Sequence, residues 1–252
     1  MREHVPRMRI VAGPNGSGKS TAVREVLPEN LLGIYINPDD IQKGIREQGF
    51  ADLKELGVLS SAAQAKDYLS ASTFLFEQGL SNECSFLKTE DSLLYFDRVE
   101  ENSYFVSVLC DFIRRCLISQ GSSFTFETVM SHHDKVELHR EARRVGYRTY
   151  LYFVSLRDVA LNIERVRERT EDGGHDVPED KIRERYRRAM DNLRKAILAA
   201  NRSYLFDNSG DECAFFGEVE DKPRGGEGRV LHLHRNPPPE WFTRWVLNQK
   251  EK

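Results

Sequence analysis

The sequence predicts a three-layer α/β fold: a mainly parallel sheet with helices on both faces. Three observations carry this. Strand-like and helix-like segments alternate from the first residues. An apolar run from Met8 to Ala12 stops at a glycine-rich loop, and a helical run from Thr21 to Leu27 follows and ends at Pro28. Thr149 to Leu156 is a continuous apolar run, the pattern of a parallel strand buried on both faces.

The remaining elements follow in order. Leu32 to Ile36 reads as a second strand, ended by Asn37-Pro38-Asp39-Asp40, and Ile41 to Gln48 reads as a helix. From Gly49 to Asn102 the helical signals are intermittent, with Ala62 to Phe76 the clearer stretch and Ser92 to Val99 the weaker. This stretch reads as an insertion packed on the main domain. Tyr104 to Ser119 is an apolar helix carrying Arg114 and Arg115. Gly121 turns the chain into a strand, Ser123 to Thr128. His133 to Val145 is a helix with Val136, Leu138 and Ala142 inward, closed by Gly146. Two arginine-rich helices come next. Arg157 to Thr170 has Val159, Ile163 and Val166 on one face. Pro178 opens the other, which carries Ile182, Tyr186, Met190, Leu193 and Ile197 at helical spacing. Between them Glu171-Asp172-Gly173-Gly174-His175 reads as a hinge-like loop. Tyr204 to Asp207 is a strand, Val230 to His234 an edge strand, and Trp241 and Trp245 form a hydrophobic plug for a terminal helix. The expected organisation is a single domain over 1–252, with a core at 8–48 and 104–209, an insertion at 49–103 and a C-terminal extension at 210–252.

With 37 Lys and Arg against 40 Asp and Glu, the net charge of −3 gives no electrostatic case for nucleic acid or a membrane surface. No apolar run approaches membrane-spanning length, and Met1 to Arg7 lacks the apolar core of a signal peptide. Cys84, Cys110, Cys116 and Cys213 have neither metal-type nor redox-type spacing, and they read as reduced thiols of a cytoplasmic protein. His132-His133 reads as surface, and His232 with His234 lacks a third zinc ligand.

Gly13-Pro14-Asn15-Gly16-Ser17-Gly18-Lys19-Ser20 matches the P-loop pattern at every fixed position, and Thr21 continues it. Glycines let the backbone bend round a phosphate and aim successive amides at it. The helix N-terminus adds partial positive charge. Lys19 is placed to reach the β- and γ-phosphates of ATP or GTP, and the Ser20 hydroxyl to ligate Mg²⁺. The fold class is therefore a P-loop NTPase with a helical insertion; the loop alone does not separate a kinase from a GTPase switch or an ATPase motor.

Asp39 and Asp40 close the second strand. Either orients an acceptor hydroxyl and takes its proton, or caps the helix that follows. Glu127 ends another strand, where it holds a Mg²⁺ water shell, binds substrate hydroxyls, or caps. Arg165 and Arg169 share a helix face, and Arg183, Arg185, Arg187 and Arg188 lie on the next helix. Lid arginines neutralise charge during phosphoryl transfer, whereas arginine runs beside Glu164, Glu168 and Glu184 are also what a solvated face contains. His175 touches a phosphate or braces its turn.

Together, Gly13 to Thr21, Ile36-Asn37-Pro38-Asp39-Asp40-Ile41, Phe126-Glu127-Thr128, Gly173-Gly174-His175-Asp176-Val177-Pro178, Arg185-Tyr186 and Asn192-Leu193 resemble the zeta-toxin family of P-loop kinases over most of residues 8 to 209. The resemblance implies a kinase-like fold with an arginine-rich lid, like the small-molecule and nucleoside monophosphate kinases, and transfer of phosphate from ATP or GTP, with Mg²⁺, to a hydroxyl of a small metabolite. UDP-N-acetylglucosamine is the acceptor of characterised members. It also implies a small antitoxin partner. By position, Lys19 and Ser20 map to the phosphate and Mg²⁺ ligands, and Asp39 to the catalytic base. Glu127 and Thr128 map to acceptor contacts, with Asp40 and His175 as further candidate acceptor-binding residues, and Arg169 and Arg185 map to the phosphate clamp. The different-class alternative is a nucleotide-gated ATPase or regulator with no organic acceptor.

Overall fold

The computed structural model describes residues 5–99, 103–172, 176–222 and 228–249. In chain order the elements are β1 (Arg7–Ala12), α1 (Lys19–Val26), α2 (Glu29–Leu32), β2 (Ile34–Ile36), α3 (Pro38–Gln48), β3 (Phe50–Asp52), α4 (Ala62–Ser70), α5 (Thr73–Glu77), β4 (Lys88–Glu90), β5 (Leu93–Tyr95), α6 (Ser103–Gln120) and β6 (Phe124–Thr128). There follow α7 (Asp134–Arg144), β7 (Arg148–Ser155), α8 (Val159–Glu171), α9 (Glu179–Ala199), β8 (Arg202–Asp207), β9 (Ala214–Asp221), β10 (Arg229–Leu233) and α10 (Glu240–Phe242). The chain forms two compact units, one of Met1–Leu31 with Glu127–Lys252, the other of Leu32–Phe126.

In the first unit β1, β7 and β8 run parallel, with Ile10 opposite Leu151 and Phe153 opposite Leu205. All four side chains are fully buried, which explains the unbroken apolar run in β7. The sheet then turns antiparallel through β9 and β10. Strand β9 was not expected from the sequence. Its second half, Glu218 to Asp221, is acidic, and Gly217 interrupts it. Neighbouring strands supply the counter-charges: Arg202 reaches Glu218 at 2.7 Å and Arg229 reaches Asp221 at 2.8 Å. Gly217 is small because a Cβ there would lie 3.0 Å from the His232 carbonyl of β10.

Helix α8 buries Ile163 and Val166 against Val177 and Ile182, closing a small core between the two arginine-rich helices. Pro178 is the N-cap of α9, one residue before its first turn. The terminal plug is Trp241 with Phe242 rather than Trp241 with Trp245. Trp241 and Phe242 are buried, with Phe216 edge-on to both at 5.5 and 5.3 Å, whereas Trp245 is half-buried beneath Arg244.

In the second unit β2 pairs in parallel with β6, and β3, β5 and β4 form an antiparallel sheet. The helix expected over Ala62 to Phe76 is broken. Ser61 caps α4 through a reciprocal pair with Gln64, and Ser72 caps α5 separately. The weaker helix expected over Ser92 to Val99 is instead the central strand β5, where Leu94 is fully buried between two partners. Three residues are too few for either periodicity to show. Helix α6 buries Arg114, whose guanidinium lies 4.9 Å over the Phe126 ring and 3.4 Å from Asp111. Among the described residues no helix is long and apolar enough to cross a membrane.

One buried titratable group has a measurable consequence. His139, on α7, is fully enclosed, and neither ring nitrogen has a hydrogen-bond partner among the described residues. Burial, then the nearby charges of Arg143 and Arg229, hold its pKa down to about 3. In the unfolded chain a histidine titrates near 6.5. Below that pH the unfolded state takes up a proton that the folded state refuses, so stability falls as pH drops from about 6.5 toward 3. At pH 5 the loss from this group is about 2 kcal/mol. His139→Leu should therefore flatten the decline between pH 7.5 and 5 by about that amount in urea unfolding. Curves of equal slope would show that His139 does not drive the acid sensitivity.

Candidate functional site

Residues 13 to 20 form a tight loop between β1 and α1. Gly16 and Gly18 have φ of +72° and +83°, and Gly18 is the N-cap of α1. L-residues with side chains avoid this region. Space is as restrictive as torsion: a Cβ on Gly16 would lie 2.5 Å from the Asn162 carbonyl, and one on Gly18 would lie 2.4 Å from Asn208 Nδ2. The loop is anchored by the Gly13 amide, which donates to the Thr128 carbonyl at 3.3 Å, and by the Ser17 amide, which donates to Pro14 at 3.2 Å. Lys19 Nζ donates to the Pro14 carbonyl at 3.1 Å, so its ammonium lies over the loop.

The Ser20 hydroxyl donates to Glu127 Oε2 at 2.8 Å. Glu127 is a 5% exposed carboxylate at the end of β6. The sequence offers Glu127 as a holder of the Mg²⁺ water shell, an acceptor contact or a cap, and the structure brings it to the Ser20 hydroxyl. Two hard oxygens side by side at the lysine end of the loop suit Mg²⁺ as ligand or water-shell partner. Among the described residues no group of three or more His, Cys, Asp or Glu could hold a metal. A cation here would therefore rely on nucleotide phosphates and water for the rest of its coordination. Thr21, on the first turn of α1, is exposed.

Thr128 follows Glu127, and its hydroxyl accepts from the Met130 amide at 3.0 Å. Met130 is buried at φ +59°, and its carbonyl accepts from Asn192 Nδ2 at 3.1 Å. A methionine held in the left-handed region needs such outside support. Asn192 is thus part of this corner of the first unit.

In the second unit Asp39 and Asp40 occupy the first turn of α3. The capping role goes to neither: Asn37 is the N-cap, accepting from the Asp39 amide at 2.9 Å, with Pro38 at the first helical position. Both carboxylates are exposed, and neither makes a hydrogen bond or ion pair among the described residues.

The arginines separate into distinct groups. Arg183 pairs with Glu179 at 2.6 Å, and Arg188 with Glu184 at 2.8 Å; these are solvated-face pairs. Arg169 is exposed on α8. Arg185 is half-buried and unpaired among the described residues. Arg165 is the arginine at the phosphate loop: its Nη2 donates to the Asn208 carbonyl at 2.9 Å, and Nη1 lies 3.9 Å from the Gly18 Cβ position. His175, with Gly173 and Gly174, lies outside the described residues.

Sequence reasoning missed Asn162 and Asn208. Asn162 Nδ2 donates to the Asn15 carbonyl at 2.6 Å, and Asn208 Nδ2 donates to the Ser17 carbonyl at 2.9 Å. The only signal was positional: Asn208 directly follows a strand whose carboxyl end faces a ligand edge in such sheets.

A glycine-rich loop between strand and helix, a lysine over it and a serine–carboxylate pair at its end define a P-loop protein of the kinase-like α/β class. The model of the zeta toxin family matches residues 97–219. The match begins after the phosphate loop and after Asp39, so those two segments carry the resemblance by motif alone. The crystal structure of AvrRxo1-ORF1 with AvrRxo1-ORF2 and sulphate ions is similar, with a TM-score of 0.55 at 14% identity over 98% of this chain and 66% of that one. The AvrRxo1-ORF1 and -ORF2 structure with ATP gives 0.50 at 14% identity over 86% and 59%. A structure from the PezAT chromosomal toxin-antitoxin system of Streptococcus pneumoniae gives 0.49 at 13% identity over 100% and 82%. An uncharacterised protein of Haemophilus influenzae is 28% identical over 69 residues, and the match spans 27% of this chain and about half, 49%, of that relative.

The geometry at Gly16 gives a test. Gly16→Ala must adopt φ near +72° with its Cβ 2.5 Å from a backbone carbonyl. The expected cost is about 1–3 kcal/mol of stability, with nucleotide affinity reduced as the loop shifts. Thermal unfolding and nucleotide titration measure both, and an unchanged affinity would show that the loop's shape does not govern binding.

Proposed function

We propose that this protein is a P-loop kinase of the zeta-toxin type, which transfers the terminal phosphoryl group of ATP or GTP to a hydroxyl of a small metabolite. The observation that carries the reading is the 2.8 Å contact between Ser20 and Glu127 at the end of an intact phosphate loop. A hydroxyl beside a carboxylate at the end of such a loop supports the reading, because phosphoryl transfer needs a divalent cation held beside the phosphates.

The roles follow from chemistry. Backbone amides of Gly13 to Ser20 hold the phosphates, and Lys19 bridges β- and γ-oxygens as they gain charge. Ser20, with Glu127 behind it, would hold Mg²⁺, which neutralises the phosphates when bound. Asp39 is the base: it is free of capping duty and has no competing partner among the described residues. It accepts the acceptor hydroxyl's proton as that oxygen attacks phosphorus and the bond to the nucleoside diphosphate breaks. Asp40, Thr128 and His175 orient the acceptor. Arg169 and Arg185 clamp the transferring phosphoryl group, and the half-buried, unpaired guanidinium of Arg185 supports its part. The acceptor is a small hydroxylated metabolite, UDP-N-acetylglucosamine or another nucleotide-like compound, with UDP-N-acetylglucosamine the first to test. The family name carries the further proposal of a small antitoxin partner.

Mass spectrometry of nucleotide-sugars, nucleosides and other metabolites incubated with protein, Mg²⁺ and ATP should reveal a new phosphorylated species that disappears with Lys19→Ala. ATP loss without one would favour an ATPase or regulator. Asp39→Asn should leave nucleotide affinity nearly intact and slow transfer by about two orders of magnitude or more. Near-normal transfer would remove Asp39 from the role of base.

A further inference from the structure

We infer that Asn208, 191 residues downstream of the loop it supports, is a positioning residue for nucleotide phosphates, acting with Asn162 to hold the loop's carbonyls turned away from the phosphate site. The inference rests on the reading that residues 13 to 20 bind nucleotide.

A loop that presents its amides to an anion must send its carbonyls elsewhere. A carbonyl turned inward would set an oxygen dipole against phosphate oxygens. Within this loop the carbonyls on either side of Gly16 are those of Asn15 and Ser17. Each accepts a hydrogen bond from a neutral side-chain amide: Asn15 from Asn162 at 2.6 Å, and Ser17 from Asn208 at 2.9 Å. Both asparagines also abut the glycines that make the turn. The Asn162 carbonyl lies 2.5 Å from the Gly16 Cβ position, and Asn208 Nδ2 lies 2.4 Å from that of Gly18. The loop and its two braces therefore fit only together.

Asn208 is itself held in place. Its amide donates to the Ser155 carbonyl at the end of β7, at 2.9 Å, and its carbonyl accepts from Arg165 at 2.9 Å. Asn162 is fully buried on α8, one residue beyond Leu161, whose amide the N-cap Asp158 accepts. An asparagine suits the task because it donates from a short, uncharged side chain. Alanine or leucine offers no donor to the Ser17 carbonyl.

The test uses the full chain and three probes: ATP, GTP and inorganic tripolyphosphate, each with Mg²⁺ and titrated well below the unfolding temperature. Asn208→Leu should weaken tripolyphosphate and the better-binding nucleotide by about tenfold or more, as for one lost positioning contact. The base-free probe should lose as much as the nucleotide, because the effect lies on phosphate. Asn208→Ala guards against a packing defect from leucine and should show the same loss. Combining Asn208→Ala with Arg165→Met should cost less than the sum of the two, since both act through the placement of one side chain. A role in stability alone would lower the unfolding temperature and leave all affinities of the folded protein unchanged, and that result would overturn the inference. Loss for the nucleotide with none for tripolyphosphate would also overturn it. If the wild-type chain bound none of the probes, the nucleotide reading would fall, and this inference with it.

Discussion

The hydrogen bonds to the Asn15 and Ser17 carbonyls are the contacts on which the phosphate loop depends. A loop bent at Gly16 and Gly18 through positive φ has little intrinsic preference for one shape, because glycine restricts the backbone least. Beside the loop's own bonds from Ser17 and Lys19 to Pro14, its shape is supported from outside by Asn162 on α8 and Asn208 after β8. Those two positions are fixed in turn by buried packing. Ile163 and Val166 seat α8 against Val177 and Ile182, and the parallel pairing of β7 with β8 sets where Asn208 emerges. The chain of cause runs from apolar burial, through strand register, to two side-chain amides, and ends at a backbone curvature that suits phosphate.

The carboxylates at the strand ends show how one residue type takes different duties from its surroundings. Glu127 is almost wholly buried and tied to Ser20, whereas Asp39 and Asp40 stand exposed because Asn37 has taken the helix cap. Asp207 closes β8, and its Oδ1 accepts from Ser209 at 2.5 Å and from the Trp241 indole at 3.3 Å, while its Oδ2 lies 3.6 Å from Arg235.

Much of this was legible in the sequence. The phosphate loop is a fixed string, and long periodic helices such as α6 and α9 declare themselves because each buries a full apolar stripe. Strand β7 is legible because a parallel strand buried on both faces reads as a near-continuous apolar run, and β1 because its apolar residues, though interrupted by Arg9, stop at the glycine-rich loop. What escaped has physical causes. Strand β9 hides because its charges are neutralised by Arg202 and Arg229 on neighbouring strands, which no local pattern reveals. Strand β5 is too short to carry a period. The contact of Glu127 with Ser20 and the placing of Asn208 against Ser17 join residues more than a hundred positions apart, so spacing holds no trace of them. Arg165 lay in view among the arginines, but only the fold singles it out as the one against Gly18.

The chain has two tryptophans, and one of them is buried with its indole N–H bonded to the residue that precedes Asn208. Trp241 sits in an aromatic nest of Phe153, Phe216 and Phe242, shielded from water, while Trp245 is half-buried beside a guanidinium. The two indoles therefore differ in polarity and quenching environment. A buried indole emits to the blue of a wetter one, so the blue side of the intrinsic emission should come from Trp241, whose indole N–H is bonded to the residue next to Asn208.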